Sequence, residues 1–191
     1  MITARAFAGK HYAVYGLARS GIATVEALLA SVARVTAWDA KEEARAALLS
    51  PSPRRGEGWG EGARRPGEPT NAEHPHPALS LQGEGLEIAN LDTADLTQFD
   101  SLVVTPGLPL NRHPIAARAR VADVEIIGDI ELFARARPEL PPHKVVGITG
   151  TNGKSTTTAL VHHILQTAGV PSLMGGNIGL PILSQDPLPE G

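Results

Sequence analysis

Short apolar runs alternate along this chain with stretches in which apolar residues recur every three or four positions. The runs predict buried strands at residues 11–15, 35–38, 86–88, 101–104 and 124–127. The helical spacing predicts helices over residues 20–31, 41–49, 114–121 and 129–137. Strands that alternate with helices indicate an α/β domain, here a Rossmann-like parallel sheet covered on both faces.

Residues 50–85 interrupt this rhythm. They contain 7 glycines and 6 prolines among 36 residues, and no hydrophobic period that would build a core. We expect a low-complexity, disordered insertion between the second helix and the third strand.

A second α/β segment is predicted after the prolines at 138, 141 and 142, which suggests domains at 1–140 and 141–191. An apolar strand at 144–149 leads into a glycine-rich loop, and a helix follows over 154–168, with a further strand at 170–174. This order is typical of a P-loop that binds ATP. The loop residues are Gly150, Thr151, Asn152, Gly153, Lys154, Ser155 and Thr156.

Each residue type in this loop has a role that suits the binding of a nucleoside triphosphate. Glycines allow backbone N–H groups to approach a phosphate, Lys154 supplies a cation for the β- and γ-phosphates, and the Ser155 hydroxyl is a candidate Mg²⁺ ligand. Lys154 is therefore the candidate catalytic residue. The alternative is an ordinary glycine-rich turn with an exposed lysine.

The first strand-to-helix turn, Gly16-Leu17-Ala18-Arg19-Ser20-Gly21, lies where a dinucleotide fingerprint would lie. Ala18 replaces the middle glycine of that fingerprint, which argues against NAD in its usual mode. Another diphosphate remains possible, with Ser20 capping the helix, Arg19 pairing with phosphate and Asp39 facing a ribose. The alternative is a plain turn with a capping serine.

Two further segments are candidates for the same ligand. Thr105-Pro106-Gly107 follows a strand at the sheet edge where ligands bind in open α/β sheets. Asn177 lies in the flexible run Gly175-Gly176-Asn177-Ile178-Gly179, either as a ligand contact or as a turn residue with positive φ. Asp129 is predicted to cap the helix that follows it.

Bulk properties narrow the function classes. The 191 residues carry a net charge of −3, which gives no general electrostatic footprint for nucleic acid. There is no cysteine, and no apolar run approaches the roughly 20 residues that span a bilayer. We expect a monomeric cytoplasmic protein with no membrane insertion.

Taken together, the motifs resemble the Mur ligase family. The loop Gly-Thr-Asn-Gly-Lys-Ser resembles the family's ATP loop, and Gly-Leu-x-x-Ser-Gly, Thr-Pro-Gly, Gly-Asp-Ile-Glu-Leu-Phe and Gly-Gly-Asn-Ile-Gly resemble the member that adds D-glutamate. The resemblance covers most of residues 9–49 and 86–184. It implies a substrate-binding first domain followed by the start of an ATP-binding domain.

The resemblance also implies an activity and site residues. D-Glutamate would be joined to UDP-N-acetylmuramoyl-L-alanine through an acyl phosphate formed from ATP with Mg²⁺. The UDP-muramoyl substrate would contact residues in four segments: Gly16, Arg19, Ser20, Asp39, Thr105, Pro106, Gly107 and Asn177. Further metal and substrate ligands, and the D-glutamate site, are expected beyond Gly191, so we expect an incomplete, inactive part of a longer enzyme.

Two other functions stay open. One is a different ligase on the same ATP domain, either another muramoyl ligase or folylpolyglutamate synthase, although the Rossmann-like segment argues against the folate enzyme. The other is a nucleotide-binding module without catalysis.

Overall fold

The computed structural model describes residues 1–49 and 85–188. These residues form a five-stranded parallel sheet in the order β3-β2-β1-β4-β5. The strands are β1 His11–Tyr15, β2 Arg34–Trp38, β3 Leu86–Ile88, β4 Ser101–Val104 and β5 Glu125–Ile127. The predicted parallel α/β architecture is confirmed for this sheet, with strand bounds within one residue of those expected.

The helices also lie where the apolar spacing placed them. They are α1 Arg19–Ala30, α2 Glu42–Leu49, α3 Pro114–Val121, α4 Asp129–Ala136 and α5 Lys154–Thr167. Proline in the first turn of α3 suits the helix start because its missing N–H has no helical partner there. Each predicted helix is confirmed, with ends shifted by at most one residue.

Successive side chains of β1 point to opposite faces of the sheet, and each face has its own core cluster. Tyr12 and Val14 pack in a cluster with Leu28 of α1 and Leu132 of α4. The intervening Ala13 and Tyr15 face the opposite side, where the cluster includes residues of β4 and α3: Leu102, Val104, Ile115 and Ala119. Helices thus cover both faces of the sheet, as a parallel sheet requires.

Two predicted strands are wrong. Residues 144–149 form no strand, and Val146 is 74% exposed. Residues 170–174 form none either, and only an isolated bridge joins Gly175 to Leu180. A parallel strand is stable only beside a partner, and no described strand pairs with either segment.

The helix that follows the glycine-rich loop keeps its predicted position but buries none of its side chains. Leu160 and Ile164, which belong to its predicted apolar stripe, are each 55% exposed. Its hydrogen-bond ladder forms locally, whereas its apolar face packs against nothing buried among the described residues.

The chain then returns to the first sheet. A 3-10 turn at Ile182–Ser184 packs on α1 and α4. Leu183 is 1% exposed, and its carbonyl accepts a hydrogen bond from the N–H of Ile2 at 3.0 Å. No sequence pattern predicted this return, because a single buried leucine has no period.

The predicted insertion at 50–85 lies, except for Gly85, outside the described residues. Of the helices that are described, none has the length and apolar character needed to cross a bilayer.

Replacing Gly21 with alanine tests the packing of α1 on the sheet. A Cβ at this position would lie 1.9 Å from the carbonyl oxygen of Gly16, which is backbone and cannot rotate away. We expect Gly21→Ala to lower the free energy of unfolding by about 2–3 kcal/mol, because the helix must move outward. Urea denaturation measures the change.

Gly147→Ala is the matched control, because a Cβ at Gly147 meets nothing within 4 Å. We expect it to change stability by less than about 0.5 kcal/mol. If both variants unfolded at the same urea concentration as the wild type, the close approach of α1 would not be required.

Candidate functional site

The order of the strands reverses at β1, which pairs with β2 on one side and with β4 on the other. Successive strands run outward from β1 to β3, and the chain then crosses back to β4. Because α1 and the loop after β4 leave the sheet in different directions at this point, a crevice opens beyond the strand ends. In open α/β sheets this is the position where ligands bind.

A close contact between two loops forms the floor of this crevice. Gly16 follows β1 with φ +98°, and a Cβ on it would lie 2.1 Å from the Thr105 hydroxyl oxygen. Thr105 is buried, and its N–H donates to the carbonyl of Tyr15 at 3.2 Å. Glycine is therefore required at position 16, both for its backbone angle and for the space that the threonine occupies.

The N-terminus of α1 forms one wall. Ala18 is the N-cap, with no side-chain hydrogen bond, and the first helical bond runs from the N–H of Ile22 to the carbonyl of Ala18 at 3.0 Å. The prediction that Ser20 caps this helix is wrong, because the helix begins one residue before it. The N–H groups of residues 19–21 thus precede the helical ladder, and the exposed Arg19 adds a positive charge beside them.

Two glycine-containing loops form the other walls. Gly107 has φ +109°, and Gly176 and Gly179 have φ +117° and +75°. Asn177 itself is not among the non-glycine residues with positive φ, so the alternative that it serves as a positive-φ turn residue is wrong. Positive φ in that loop falls on Gly176 and Gly179. Backbone conformation therefore does not explain the asparagine at 177, and its side-chain amide remains as the candidate ligand contact.

The groove so formed is lined by residues from three segments of the chain: Ala18, Arg19, Ser20, Thr105, Pro106, Gly107, Gly176, Asn177, Gly179 and Pro181. Six of the eight predicted substrate residues are brought together here. Gly16 lies beneath the groove in contact with Thr105, and Asp39 is not part of the lining. Sequence reasoning missed Pro181, which carries no motif of its own.

Asp39 makes two backbone hydrogen bonds that the sequence did not predict. Its Oδ2 accepts the N–H of Leu17 at 2.7 Å, and its Oδ1 accepts the N–H of Lys41 at 2.9 Å. The carboxylate thereby ties the loop after β1 to the end of β2. The Arg45 guanidinium donates to the Asp39 carbonyl at 2.6 Å and lies 4.4 Å from the centre of the Trp38 ring, which fixes the same corner from outside.

A polar cluster that the sequence did not reveal lies on the face of the sheet that α3 covers. The Tyr15 hydroxyl donates to the Asp92 carboxylate at 3.0 Å, and His113 Nε2 lies 3.4 Å away. Burial, together with the neighbouring Asp92 carboxylate, raises the pKa of Tyr15 to about 12. The Nδ1 of His113 accepts the N–H of Ile115 at 3.3 Å, so this histidine caps α3 and holds the loops in place.

Asp129 is buried at the start of α4, but it is not the predicted cap. The N-cap is Gly128, and Asp129 Oδ1 accepts the N–H of Ile130 at 2.9 Å. Burial raises the pKa of Asp129 above its usual range. Its main structural effect is to satisfy a donor in the first helical turn.

The glycine-rich loop lies apart from the groove lining. Gly150 and Gly153 have φ +150° and +76°, and the N-cap of α5 is Gly153, which has no capping side chain. The Lys154 ammonium lies across the inside of the loop, donating to the carbonyl of Gly150 and, at 3.2 Å, to that of Thr151. The three N–H groups of Lys154, Ser155 and Thr156 precede the first bond of the α5 ladder, which joins Thr157 to Gly153 at 2.9 Å.

This loop therefore presents a lysine ammonium and unpaired backbone donors at the start of a 14-residue helix. That set of donors suits an anion with several negative oxygens. Within residues 1–49 and 85–188, no group of three or more histidine, aspartate or glutamate side chains is placed to hold a metal ion.

Known proteins provide an independent comparison. The chain is 60% identical to the UDP-N-acetylmuramoylalanine--D-glutamate ligase of Sphingopyxis alaskensis over 190 residues, which is all of this chain and 36% of that ligase. It is 56% identical to the ligase of the same name from Novosphingobium aromaticivorans and 50% identical to that from Zymomonas mobilis, again over its whole length and over 35% and 38% of theirs. No protein-family model matches the chain.

The matched part of these ligases is their N-terminal part, and the chain spans just over a third of their length. The resemblance predicted from the motifs is thereby confirmed. It extends through the whole chain, beyond the segments from which it was inferred.

Changing Asp39 to asparagine tests its role in fixing the loop after β1. An amide has one accepting oxygen, so its NH₂ group would face one of the two backbone N–H donors. We expect Asp39→Asn to cost about 1–3 kcal/mol of folding free energy and to speed hydrogen exchange at the Leu17 amide. NMR-detected exchange and urea denaturation measure both effects.

Asp123→Asn is the control, since Asp123 is exposed with φ +55°, a conformation that asparagine also tolerates. It removes the same charge but should leave stability and exchange near the wild-type values. Equal effects of the two substitutions would mean that charge, and not the two hydrogen bonds, explains the Asp39 result.

Proposed function

We propose that this chain, which aligns throughout with the N-terminal part of UDP-N-acetylmuramoylalanine–D-glutamate ligases, binds the UDP-muramoyl substrate of such a ligase and begins its ATP-binding domain. The observation that carries the proposal is the groove at the switch point of the sheet. There the start of α1, with Arg19 and Ser20, faces Thr105–Gly107 and the Asn177 loop.

The diphosphate of the substrate suits the wall formed by α1. Unpaired N–H groups at residues 19–21 and the positive end of the helix dipole favour a negative group, and the Arg19 guanidinium adds a charge-assisted donor. Ala18 lines this wall with a Cβ where a dinucleotide site would have glycine, which favours a UDP-sugar over NAD.

The other parts of the substrate follow from this placement. The muramoyl group would extend toward Asn177, whose amide both donates and accepts hydrogen bonds. The uridine would lie toward the corner of Asp39, Ala40 and Lys41. Since both carboxylate oxygens of Asp39 already accept backbone N–H groups, we infer that it orders this corner as much as it contacts the ribose.

ATP fits the glycine-rich loop. The Lys154 ammonium and the first N–H groups of α5 would hold its phosphates, and the Ser155 hydroxyl would be one ligand of the accompanying Mg²⁺. This reading makes residues 141–191 the start of a P-loop domain, although the residues that feed the loop form no strand among those described.

The reaction proposed for the whole enzyme is ATP-dependent amide-bond formation. Phosphoryl transfer to the alanine carboxylate gives an acyl phosphate, and the amine of D-glutamate then displaces phosphate from the acyl carbon. The contribution of the protein is to position the reactants and to neutralise charge on the transferred group. We expect the enzyme to act as a monomer in the cytoplasm, in the synthesis of peptidoglycan precursors for growth and division.

Ligand binding to the 191-residue chain tests the groove. We expect calorimetry to detect UDP-N-acetylmuramoyl-L-alanine but neither NADH nor a folate. Arg19→Ala should weaken binding of the UDP ligand by about tenfold or more, because a charge-assisted hydrogen bond is lost.

Arg34→Ala is the matched control, because this exposed arginine lies at the amino-terminal end of β2, away from the carboxyl-terminal strand ends where the groove lies, and should leave affinity unchanged. Binding of NADH without the UDP ligand would favour a dehydrogenase-like function instead. Binding of the UDP ligand with no effect of Arg19→Ala would place the diphosphate elsewhere.

Lys154→Ala tests the ATP loop in a full-length ligase that carries this sequence. We expect kcat for ligation to fall by about 10²–10³-fold, because the ammonium neutralises charge on the phosphoryl group in the transition state. Lys144→Ala removes another exposed lysine ten residues earlier and should leave kcat near normal. Near-normal turnover of the Lys154 variant would refute its catalytic role.

A further inference from the structure

The loop that carries Asn177 has a narrow neck. Its two sides meet at an isolated bridge between Gly175 and Leu180. The side chain of Gln185 spans this neck: its Nε2 donates to the carbonyl of Met174 at 3.0 Å and to that of Leu180 at 3.1 Å. Both N–H bonds of one amide nitrogen are thus used to join the start of the loop to its end.

The amide is held in a confined space. Gln185 is 9% exposed, and a Cβ on Gly175 would lie 3.0 Å from its Nε2 and 3.0 Å from the Cδ1 of Ile182. Glycine at 175 therefore lets the neck close onto the glutamine. Leaving this buried amide without its hydrogen-bond partners would destabilise the folded protein. Its two hydrogen bonds therefore favour one arrangement of the loop.

Gln185 is also attached firmly to the first domain. It directly follows the 3-10 turn Ile182–Ser184, in which the buried Leu183 packs in the same core cluster as α1 and α4. The N–H of Ile2 donates to the Leu183 carbonyl at 3.0 Å. Gln185 therefore links the loop that carries Asn177 to a turn whose Leu183 lies in the core.

We propose that Gln185 is a positioning residue that fixes the Asn177 loop against the substrate groove, so that it sets affinity for the muramoyl part of the ligand and not for its UDP part. This inference rests on the proposed function, because it assigns a role within the same site. The distinction follows from the geometry: the diphosphate wall belongs to α1 and does not depend on the neck of the 175–180 loop.

The test compares two ligands on the 191-residue chain, UDP and UDP-N-acetylmuramoyl-L-alanine, by calorimetry. Gln185→Met keeps the length and volume of the side chain but removes both donors. We expect it to weaken binding of the muramoyl ligand by roughly three- to tenfold and to leave UDP affinity unchanged. Because Gln185 acts through Asn177, the substitution should add nothing further in an Asn177→Ala background.

Ser184→Ala is the matched control: the hydroxyl of this exposed neighbour donates to the Pro181 carbonyl at 2.8 Å, and its loss should change neither affinity. Gly175→Ala provides a second route to the same perturbation, because its new methyl group would press on the Gln185 amide. It should give the same split between the two ligands if Gln185→Met fails to fold.

The outcomes separate the two proposals. A wild-type chain that binds neither ligand would overturn the proposed function and this inference with it. A wild-type chain that binds the muramoyl ligand, combined with variants that weaken both ligands equally or neither, would overturn the role of Gln185 alone. Equal wild-type affinity for UDP and the muramoyl ligand would also overturn it, since the loop would then contribute nothing.

Discussion

The close approach of the first helix to the centre of the sheet governs the geometry of this protein. Gly21 leaves room for the Gly16 carbonyl, and Gly16 leaves room for the Thr105 hydroxyl. A side chain at either glycine would move α1 away from β1 or separate the loops after β1 and β4. Since β1 and β4 are the strands at which the sheet order reverses, this contact determines whether a groove exists at all.

The groove is then completed by a segment that is remote in the sequence. Leu183 inserts into the core beside α1 and α4, and Gln185 holds the neck of the loop that carries Asn177. Charge is added only locally: the chain as a whole is negative, whereas Arg19 and the start of α1 make one wall of the groove positive. A net negative protein can in this way offer a locally positive wall to the nucleotide sugar that we propose as its ligand.

The two candidate ligand sites differ in what supports them. Around the groove, each wall is attached to a buried core, and Asp39 accepts hydrogen bonds from the backbone N–H groups of Leu17 and Lys41 in the adjoining loops. The glycine-rich loop is held mainly by contacts within itself, from Lys154 to two of its own carbonyls, and its helix buries no side chain. The first arrangement depends on tertiary packing, and the second depends on local backbone geometry.

The sequence by itself determined the elements whose signals are local. Among the described residues, apolar periodicity located every strand of the sheet and every α-helix, and the glycine and lysine pattern identified the candidate phosphate loop, because period and turn chemistry act over a few residues. The strand predictions for residues 144–149 and 170–174 were wrong, because an apolar run forms a β-strand only when a neighbouring strand pairs with it. Only the tertiary structure decided that Thr105 contacts Gly16, that Asp39 binds two backbone amides, and that Gln185 closes the Asn177 loop. The contact between Gly16 and Thr105 joins residues that are 89 positions apart, and the Gln185 contacts depend on the buried turn before it. No local sequence pattern encodes such pairings, because they arise from the way the packed elements meet.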